Sequence, residues 1–192
     1  MRILFYDLET TGLSREYSET LNIAAIVYND EEDCIENEFC IYIKPEKGVP
    51  WNITQLTGIT NQMVANANNE SLSLYDFMEW VRKQNCHTCA GHNVKHFDRP
   101  FLQARCNKFK IEDTLPLDTI DTLDLAKEAL KQGCLPDYNY TTAKGNISLK
   151  QEYLMDYWGL GTQEHMALTD VQYNIMVYKK LREALDNIDY GF

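Results

Sequence analysis

Three short apolar segments near the start of the chain constrain its fold more than any other feature. Residues 2–7 and 21–28 are apolar runs, and residues 38–43 alternate between polar and apolar side chains. Segments this short, bounded by polar turn residues, are typical of β-strands. Because the links between them are also short, the sequence predicts a three-stranded antiparallel meander.

The rest of the chain alternates between helix-like and strand-like segments. After a break at Pro45, Gly48 and Pro50, apolar side chains recur at helical spacing from residue 60 onward. Further helices are predicted at 99–107, 123–131, 149–157 and 169–185, short strands at 86–90 and 118–121, and a flexible loop at 133–146. This order predicts an α/β fold in which helices pack on a mixed sheet. The 192 residues hold no internal repeat or linker, so a single domain over 1–192 is expected.

The charge balance limits what the chain can bind. Its 18 basic and 29 acidic side chains give a net charge of −11, whereas proteins that wrap duplex DNA are normally basic. A pocket that holds a few nucleotides through metal ions is compatible with this charge. There are two local basic runs. The first consists of Lys95, His96, Arg99, Arg105, Lys108 and Lys110, and the second consists of Lys179, Lys180 and Arg182. The first run fits a phosphate track or a solvated helix face equally well, and the second favours a solvated face.

Apolar runs and cysteine usage predict a reduced, cytoplasmic (intracellular) protein with no membrane association. No run approaches the ~18 apolar residues of a membrane span, and the N-terminal segment lacks the features of a signal peptide. Six cysteines without an export signal are expected to be free thiols. Cys86, Cys89, His92 and His96 imitate a zinc ligand set, but they crowd into eleven residues, which favours buried thiols instead.

Two carboxylates stand at the end of the first predicted strand. Asp7 and Glu9 are two residues apart, so in a strand they point to the same face, with Phe5 as an apolar floor. Two like charges this close are costly unless a cation lies between them. The alternative is that both are ordinary surface residues at a strand end.

A third carboxylate precedes a predicted helix. Asp98 lies two residues before Pro100, which suits the first turn of a helix. It is flanked by the apolar Phe97 and Phe101. A carboxylate at this position can bind a metal, or it can simply cap the N-terminus of the helix.

A histidine and an aspartate precede and begin the last predicted helix. Thr169 and Gln172 have the spacing of a capping box, so the helix is expected to begin near Asp170. His165 would then lie on the preceding loop, where its side chain can approach that of Asp170. On a continuous helix the two side chains would point in different directions, because each residue turns the helix by about 100°. The alternative for His165 is a partly buried surface histidine.

Together these motifs resemble the histidine subclass of the DnaQ-like, or DEDD, family of 3′–5′ exonucleases. The matching segments are Asp7-Leu8-Glu9-Thr10-Thr11-Gly12-Leu13, the Asp98 motif and His165-x-Ala167-x-x-Asp170, with Thr57-Gly58-Ile59-Thr60 similar to a substrate-side motif. The resemblance covers about residues 3–185. The position where a tyrosine subclass has its tyrosine is Met166. Asn93, five residues before Asp98, is similar to the Trex-type branch, whereas Thr57-Gly58-Ile59 is similar to bacterial proofreading enzymes.

The resemblance implies a ribonuclease H-like fold, with a mixed five-stranded sheet and helices on both faces. It implies hydrolysis from the 3′ end of single-stranded DNA or RNA, with release of nucleoside 5′-monophosphates. Two Mg²⁺ or Mn²⁺ ions would be held by Asp7, Glu9, Asp98 and Asp170. His165 would be the general base, because an imidazole titrates near neutral pH. His92 and His96 are rival candidates for that role.

The resemblance also implies substrate contacts and partners. The candidate substrate-binding residues are Thr10, Thr11, Gly12, Leu13, Gly58, Ile59 and Asn93. Leu13 and Ile59 would be wedges or stacking platforms for the last bases, although Leu13 can also be a core residue. The partners would be single-stranded 3′ ends, with a homodimer or a polymerase partner also compatible. Two other functions stay open, namely a degenerate fold that only binds nucleic acid and another ribonuclease H-like enzyme such as an endonuclease.

Overall fold

A computed structural model describes residues 1–161 and 167–187. Its sheet has five strands in the order β3-β2-β1-β4-β5. The strands are β1 (Arg2–Thr10), β2 (Thr20–Asn29), β3 (Cys34–Tyr42), β4 (Thr88–Gly91) and β5 (Asp118–Asp121). β1 pairs antiparallel with β2 and β2 antiparallel with β3, whereas β4 lies parallel to β1 and β5 parallel to β4. The predicted meander and the predicted mixed five-stranded sheet are confirmed.

Seven helices lie in the described part of the chain. They are α1 (Trp51–Thr57), α2 (Asn61–Val64), α3 (Glu70–Gln84), α4 (Asp98–Phe109), α5 (Thr122–Lys131), α6 (Gln151–Tyr157) and α7 (Ala167–Asp186). Side chains alternate along β1, so the strand faces two helical layers. Leu4 packs in one core with Phe77 of α3 and Phe101 of α4. On the other face Phe5 contacts Tyr178 of α7, with ring centroids 5.4 Å apart. The predicted packing of helices on both faces is confirmed.

One helix was not predicted because its flanking residues were interpreted as a break. Pro50 is extended (φ −62°, ψ 144°) and directly precedes α1, while Gly58 ends the helix in the left-handed region (φ 72°). Proline before a helix and glycine after it are ordinary boundary residues. Ile53 anchors α1 in a small core with Leu21 and Val64.

The start of α7 differs from the prediction. The helix includes Ala167, so Thr169 and Gln172 lie inside it and do not form the predicted capping box. Ala167 is buried in the same core as Val171. Burial of this first turn against the sheet stabilises a helix that begins earlier than the capping pattern indicates.

The helix lengths and the cysteine thiols bear on two further expectations. Among the described helices, none is both long enough and apolar enough to span a bilayer. All six cysteines are free, as predicted.

Candidate active site

β1 carries the first two carboxylates near the middle of the sheet. Asp7 is paired opposite Ala24 and Glu9 opposite Asn22 of β2. The strand continues to Thr10, so both acids lie within it, and both are partly buried. They share the face of the sheet on which α7 packs, as the two-residue spacing predicts.

α7 brings a third carboxylate to the same place. Asp170 lies in the first turn of α7 and is 5% exposed. Asp7, Glu9 and Asp170 each offer one carboxylate oxygen, and these oxygens lie within 4.8 Å of one another. Three acids separated by up to 163 positions in the sequence therefore converge on one point.

Asp98 lies beside this cluster. The alternative interpretation, that Asp98 only caps the N-terminus of α4, is wrong. The residue that precedes α4 is Phe97, and no side chain caps the helix. Instead, the backbone N–H of Leu8 donates to Oδ1 of Asp98 over 3.2 Å. Asp98 lines a cavity of about 260 Å³ together with Asp7, Glu9 and Asp170.

The electrostatics of this cavity favour a bound cation. Burial, then the charges of Asp98, Glu9 and Asp170, raise the pKa of Asp7 well above its usual range. Burial and then the charge of Asp170 raise the pKa of Glu9 to about 7. Burial also raises the pKa of Asp98 to about 8, although backbone hydrogen bonds oppose the shift. Carboxylates held together against repulsion are relieved by a cation, and an all-oxygen donor set suits Mg²⁺ or Mn²⁺.

The three candidate bases have different positions. His165 lies outside the described residues, so its assignment stays a prediction. His92 lines the carboxylate cavity, but burial lowers its pKa to about 4, which makes it a weak base at neutral pH. His96 is exposed, and its backbone carbonyl accepts a hydrogen bond from Arg15.

The segment after β1 is tied to the start of β2. Thr10 Oγ1 donates to the Gly12 carbonyl over 2.8 Å. The Thr11 N–H donates to the Glu19 carbonyl, and the Glu19 N–H donates to Thr11 Oγ1. Leu13 is 83% exposed, so the alternative of a core leucine is wrong and its side chain is free to contact a base.

The Thr57-Gly58-Ile59 segment differs from the prediction. Ile59 is 4% exposed and packs in a small core with Leu21 and Ile53. A buried side chain offers no surface for stacking, so the predicted wedge or platform role of Ile59 is wrong. Gly58 ends α1, and neither residue lines the carboxylate cavity.

Asn93 lies at the edge of the carboxylate cavity in a strained turn. Its φ is 61°, and its backbone N–H donates to Oδ1 of Asp121 over 2.8 Å. The N–H of Lys95 donates to the other oxygen of Asp121 over 3.0 Å. Asp121 therefore fixes the turn that leads into Asp98, a role that the sequence analysis missed. The available signal was an aspartate between a short strand and a helix, which is a position for a residue that binds backbone N–H groups.

Gln151 is a second residue that the sequence analysis missed. It is buried at the first position of α6 and lines the cavity with the carboxylates. The signal was its helical spacing from Leu154 and Met155, which places a polar group on the buried face of the helix.

The zinc alternative is wrong. Cys89 is buried, and its Sγ contacts the backbone carbonyls of Pro116 and Asp118. Nδ1 of His92 contacts the Thr122 hydroxyl over 3.0 Å. Within residues 1–161 and 167–187, the only group of metal-type ligands is the cluster of Asp7, Glu9 and Asp170.

The first basic run does not form a continuous phosphate track. Arg105 is 1% exposed and forms a buried ion pair with Glu70. Lys95 pairs with Asp124 over 3.0 Å. In the second run, Lys179 pairs with Asp33 over 2.5 Å, as expected of a solvated helix face.

The sheet order, with acids on its central strand, is that of the ribonuclease H-like exonuclease fold. The chain belongs to the exonuclease family, whose model, described as "Exonuclease", matches residues 4–178. This confirms the family predicted from the three motifs.

Individual relatives are longer than this chain. A PolC-type DNA polymerase III of Latilactobacillus sakei subsp. sakei is 33% identical over 97% of this chain and 12% of its own length. The 3′-5′ exonuclease DinG of Bacillus subtilis is 28% identical over 98% of this chain and 18% of its own length. Among solved structures, Escherichia coli exonuclease I in complex with a dT13 oligonucleotide has a TM-score of 0.78 at 21% identity. That match covers 98% of this chain and 43% of the exonuclease I chain.

Proposed function

We propose that this chain is a metal-dependent 3′–5′ exonuclease that shortens single-stranded DNA or RNA from the 3′ end and releases nucleoside 5′-monophosphates. The observation that carries the proposal is the convergence of Asp7, Glu9 and Asp170 within 4.8 Å, with Asp98 in the same cavity. The raised pKa values of Asp7 and Glu9 support a site built for cations.

The chain's own residues have distinct roles in this reaction. Asp7, Glu9, Asp98 and Asp170 would hold two Mg²⁺ or Mn²⁺ ions. Such ions, when bound, lower the pKa of water and neutralise charge that develops on a phosphoryl group. The imidazole of His165 accepts the proton of the attacking water, because its ordinary pKa lies near neutrality.

The relatives support the direction and the substrate. One relative is named a 3′-5′ exonuclease, and a solved structure with the same fold holds a dT13 oligonucleotide. Several relatives are named as PolC-type DNA polymerases, which supports a polymerase partner for this chain. The homodimer and the cytoplasmic location stay predictions.

The proposal is tested with 5′-labelled oligonucleotides of DNA and RNA, single-stranded and duplex, with free or blocked 3′ ends. We expect stepwise shortening from free 3′ ends in Mg²⁺ or Mn²⁺ and none in EDTA. Asp7→Ala and Asp170→Ala should abolish shortening, while Glu38→Ala, which removes an exposed carboxylate of β3, should leave it unchanged. Cleavage of a circular substrate would instead indicate an endonuclease, and binding without cleavage would indicate a non-catalytic module.

The role of His165 has its own test. His165→Ala should strongly lower turnover while Mn²⁺ binding persists, because the imidazole is proposed to move a proton and not to hold a cation. Hydrolysis at the wild-type rate by this variant would overturn the assignment of the base.

A further inference from the structure

A chain of buried hydrogen bonds joins three helices, α5, α6 and α7, beside the carboxylate cavity. Nδ2 of Asn174, on α7, donates to Oγ1 of Thr122 over 2.8 Å and to Oε1 of Gln151 over 2.8 Å. Nε2 of Gln151 donates to the backbone carbonyl of Asp170 over 3.0 Å. Thr122 is completely buried, and Asn174 is 4% exposed. None of these contacts was used in the catalytic roles above.

The directions of the hydrogen bonds made by Gln151 and Asn174 are determined by their neighbours. Because Gln151 donates through Nε2 to a carbonyl, its Oε1 faces Asn174 and must accept. Asn174 therefore presents its NH₂ group, which also donates to Thr122. The Thr122 hydroxyl donates its own proton to the Gly91 carbonyl over 3.3 Å, and Nδ1 of His92 lies 3.0 Å from the same hydroxyl oxygen of Thr122.

The ring of His92 completes the chain. Its Nδ1 contacts a Thr122 hydroxyl that Asn174 and the Gly91 carbonyl hold in place. This contact therefore fixes the position of the ring beside the carboxylate cavity.

This chain ends on the walls of two adjoining cavities. His92 and Gln151 line the carboxylate cavity, and both also line a neighbouring cavity of about 480 Å³. The neighbouring cavity is bordered by residues 147–152, and it also shares Asn93 with the carboxylate cavity. A displacement of His92 or Gln151 therefore changes the shape of both cavities at once.

We infer that Thr122 and Asn174 are positioning residues, which hold the ring of His92 and the side chain of Gln151 in the wall between the two cavities. This inference rests on the proposed function, because the wall matters where a nucleic-acid strand is aligned with the carboxylates. Small displacements of aligned groups have large effects on reaction rate.

The activity test compares two variants at one position. Thr122→Val keeps the side-chain shape but removes the hydroxyl, and we expect a loss of roughly tenfold or more in kcat/KM at saturating Mg²⁺. Thr122→Ser restores the hydroxyl and should recover most of the wild-type value. Thr114→Val is the matched control, since it removes a hydroxyl that donates to the Met78 carbonyl far from this chain of hydrogen bonds. Equal kcat/KM in Thr122→Val and Thr122→Ser, with both proteins folded, would overturn the inference.

A spectroscopic test does not depend on activity. Long-range ¹H–¹⁵N correlation spectra, assigned with His92→Gln, should give the same His92 ring pattern in the wild type and in Thr122→Ser. Thr122→Val should change this pattern, because Nδ1 loses its hydroxyl partner, while Thr114→Val should keep it. A His92 pattern that is identical in the wild type and in Thr122→Val would overturn the inference. If the wild type proved inactive but the His92 pattern changed in Thr122→Val, the proposed function would fail and the positioning of His92 would stand.

Discussion

Asp7 lies among acids whose mutual repulsion the folded chain must overcome. The pKa values of Asp7, Glu9 and Asp98 are all raised, in each case mainly by burial. A raised pKa means that the folded state retains protons that the unfolded state has already released. The free energy of unfolding therefore falls as the pH rises above the unfolded pKa of about 4. This loss continues through the folded values of about 7 for Glu9 and about 8 for Asp98.

Cation removal and pH should consequently act together on stability. In EDTA, we expect the free energy of unfolding to fall between about pH 4 and pH 8, by about 3 kcal/mol or more, since one pKa unit corresponds to about 1.4 kcal/mol. In Mg²⁺ or Mn²⁺ the fall should be much smaller, because a cation stabilises the ionised carboxylates. Urea unfolding at several pH values, with EDTA or Mg²⁺, measures both. Identical pH profiles in EDTA and Mg²⁺ would contradict this interpretation of the cluster.

Removal of one charge should stabilise the metal-free protein. Asp7→Asn keeps the shape of the side chain and relieves repulsion with Glu9 and Asp170, so we expect a gain of about 1 kcal/mol in EDTA at pH 7.5. The same variant should lose exonuclease activity. Glu38→Gln, on the exposed face of β3, serves as the control and should change neither quantity. A less stable Asp7→Asn would show that the carboxylate is held by favourable contacts.

Local spacing could predict some of these residues but not others. The two-residue period of a strand was sufficient to place Asp7 and Glu9 on one face. It could not show that Asp98 accepts from the Leu8 N–H, because that contact joins residues 90 positions apart. The burial of Ile59 likewise depends on Leu21, a distant residue of β2.

Among the secondary-structure elements, strands were easier to predict than helix boundaries. Each predicted strand is present, and the apolar side chains of β1 and β2 are buried in the central layer. α1 follows Pro50. Because proline both interrupts helices and directly precedes them, the neighbouring residues decide which of the two it indicates. The capping pattern at Thr169 was overridden by the burial of Ala167. Tertiary packing decides such helix boundaries, and a short stretch of sequence does not show which distant residues will pack against it.

A buried ion pair ties three elements together behind the carboxylates. Glu70, at the start of α3, pairs with Arg105 of α4, which donates through Nε over 2.8 Å. The same carboxylate accepts from the N–H and hydroxyl of Thr20, each over 2.9 Å. Thr20 faces Thr10 across the sheet, where the register shifts after Glu9. This ion pair therefore anchors β2 beside the strand that carries Asp7 and Glu9.

Breaking this ion pair from one side should be costly. Glu70→Leu leaves the buried guanidinium of Arg105 without its partner, and we expect a loss of about 3–5 kcal/mol in the free energy of unfolding. The double variant Glu70→Leu with Arg105→Met removes both charges and should recover a large part of that loss. Urea unfolding of the single and double variants measures the difference. A double variant that is less stable than the single variant would show that the ion pair is not the main interaction.

The whole molecule carries a net charge of −11, yet it is proposed to bind a polyanion. The composition predicted that the chain has no broad basic surface for binding a polyanion. The structure shows why the two local basic runs do not form such a surface. Lys95 and Lys179 pair with aspartates, and Arg105 is buried with Glu70. Pairing across elements cannot be read from a run of basic residues, because it depends on which acids the fold brings near.

Binding of single-stranded nucleic acid should consequently depend only weakly on monovalent salt. Each phosphate neutralised by a protein cation contributes a slope of about −0.7 to the change of log K with log salt for single strands. Because the basic residues described above are paired or buried, we expect a slope of about −1.5 or shallower for 1/KM. The measurement follows KM for a single-stranded oligonucleotide from low to moderate KCl at a fixed saturating concentration of Mg²⁺. A slope of about −4 or steeper would show that several protein cations neutralise substrate phosphates, and that the strand binds a basic surface in addition to the carboxylate site.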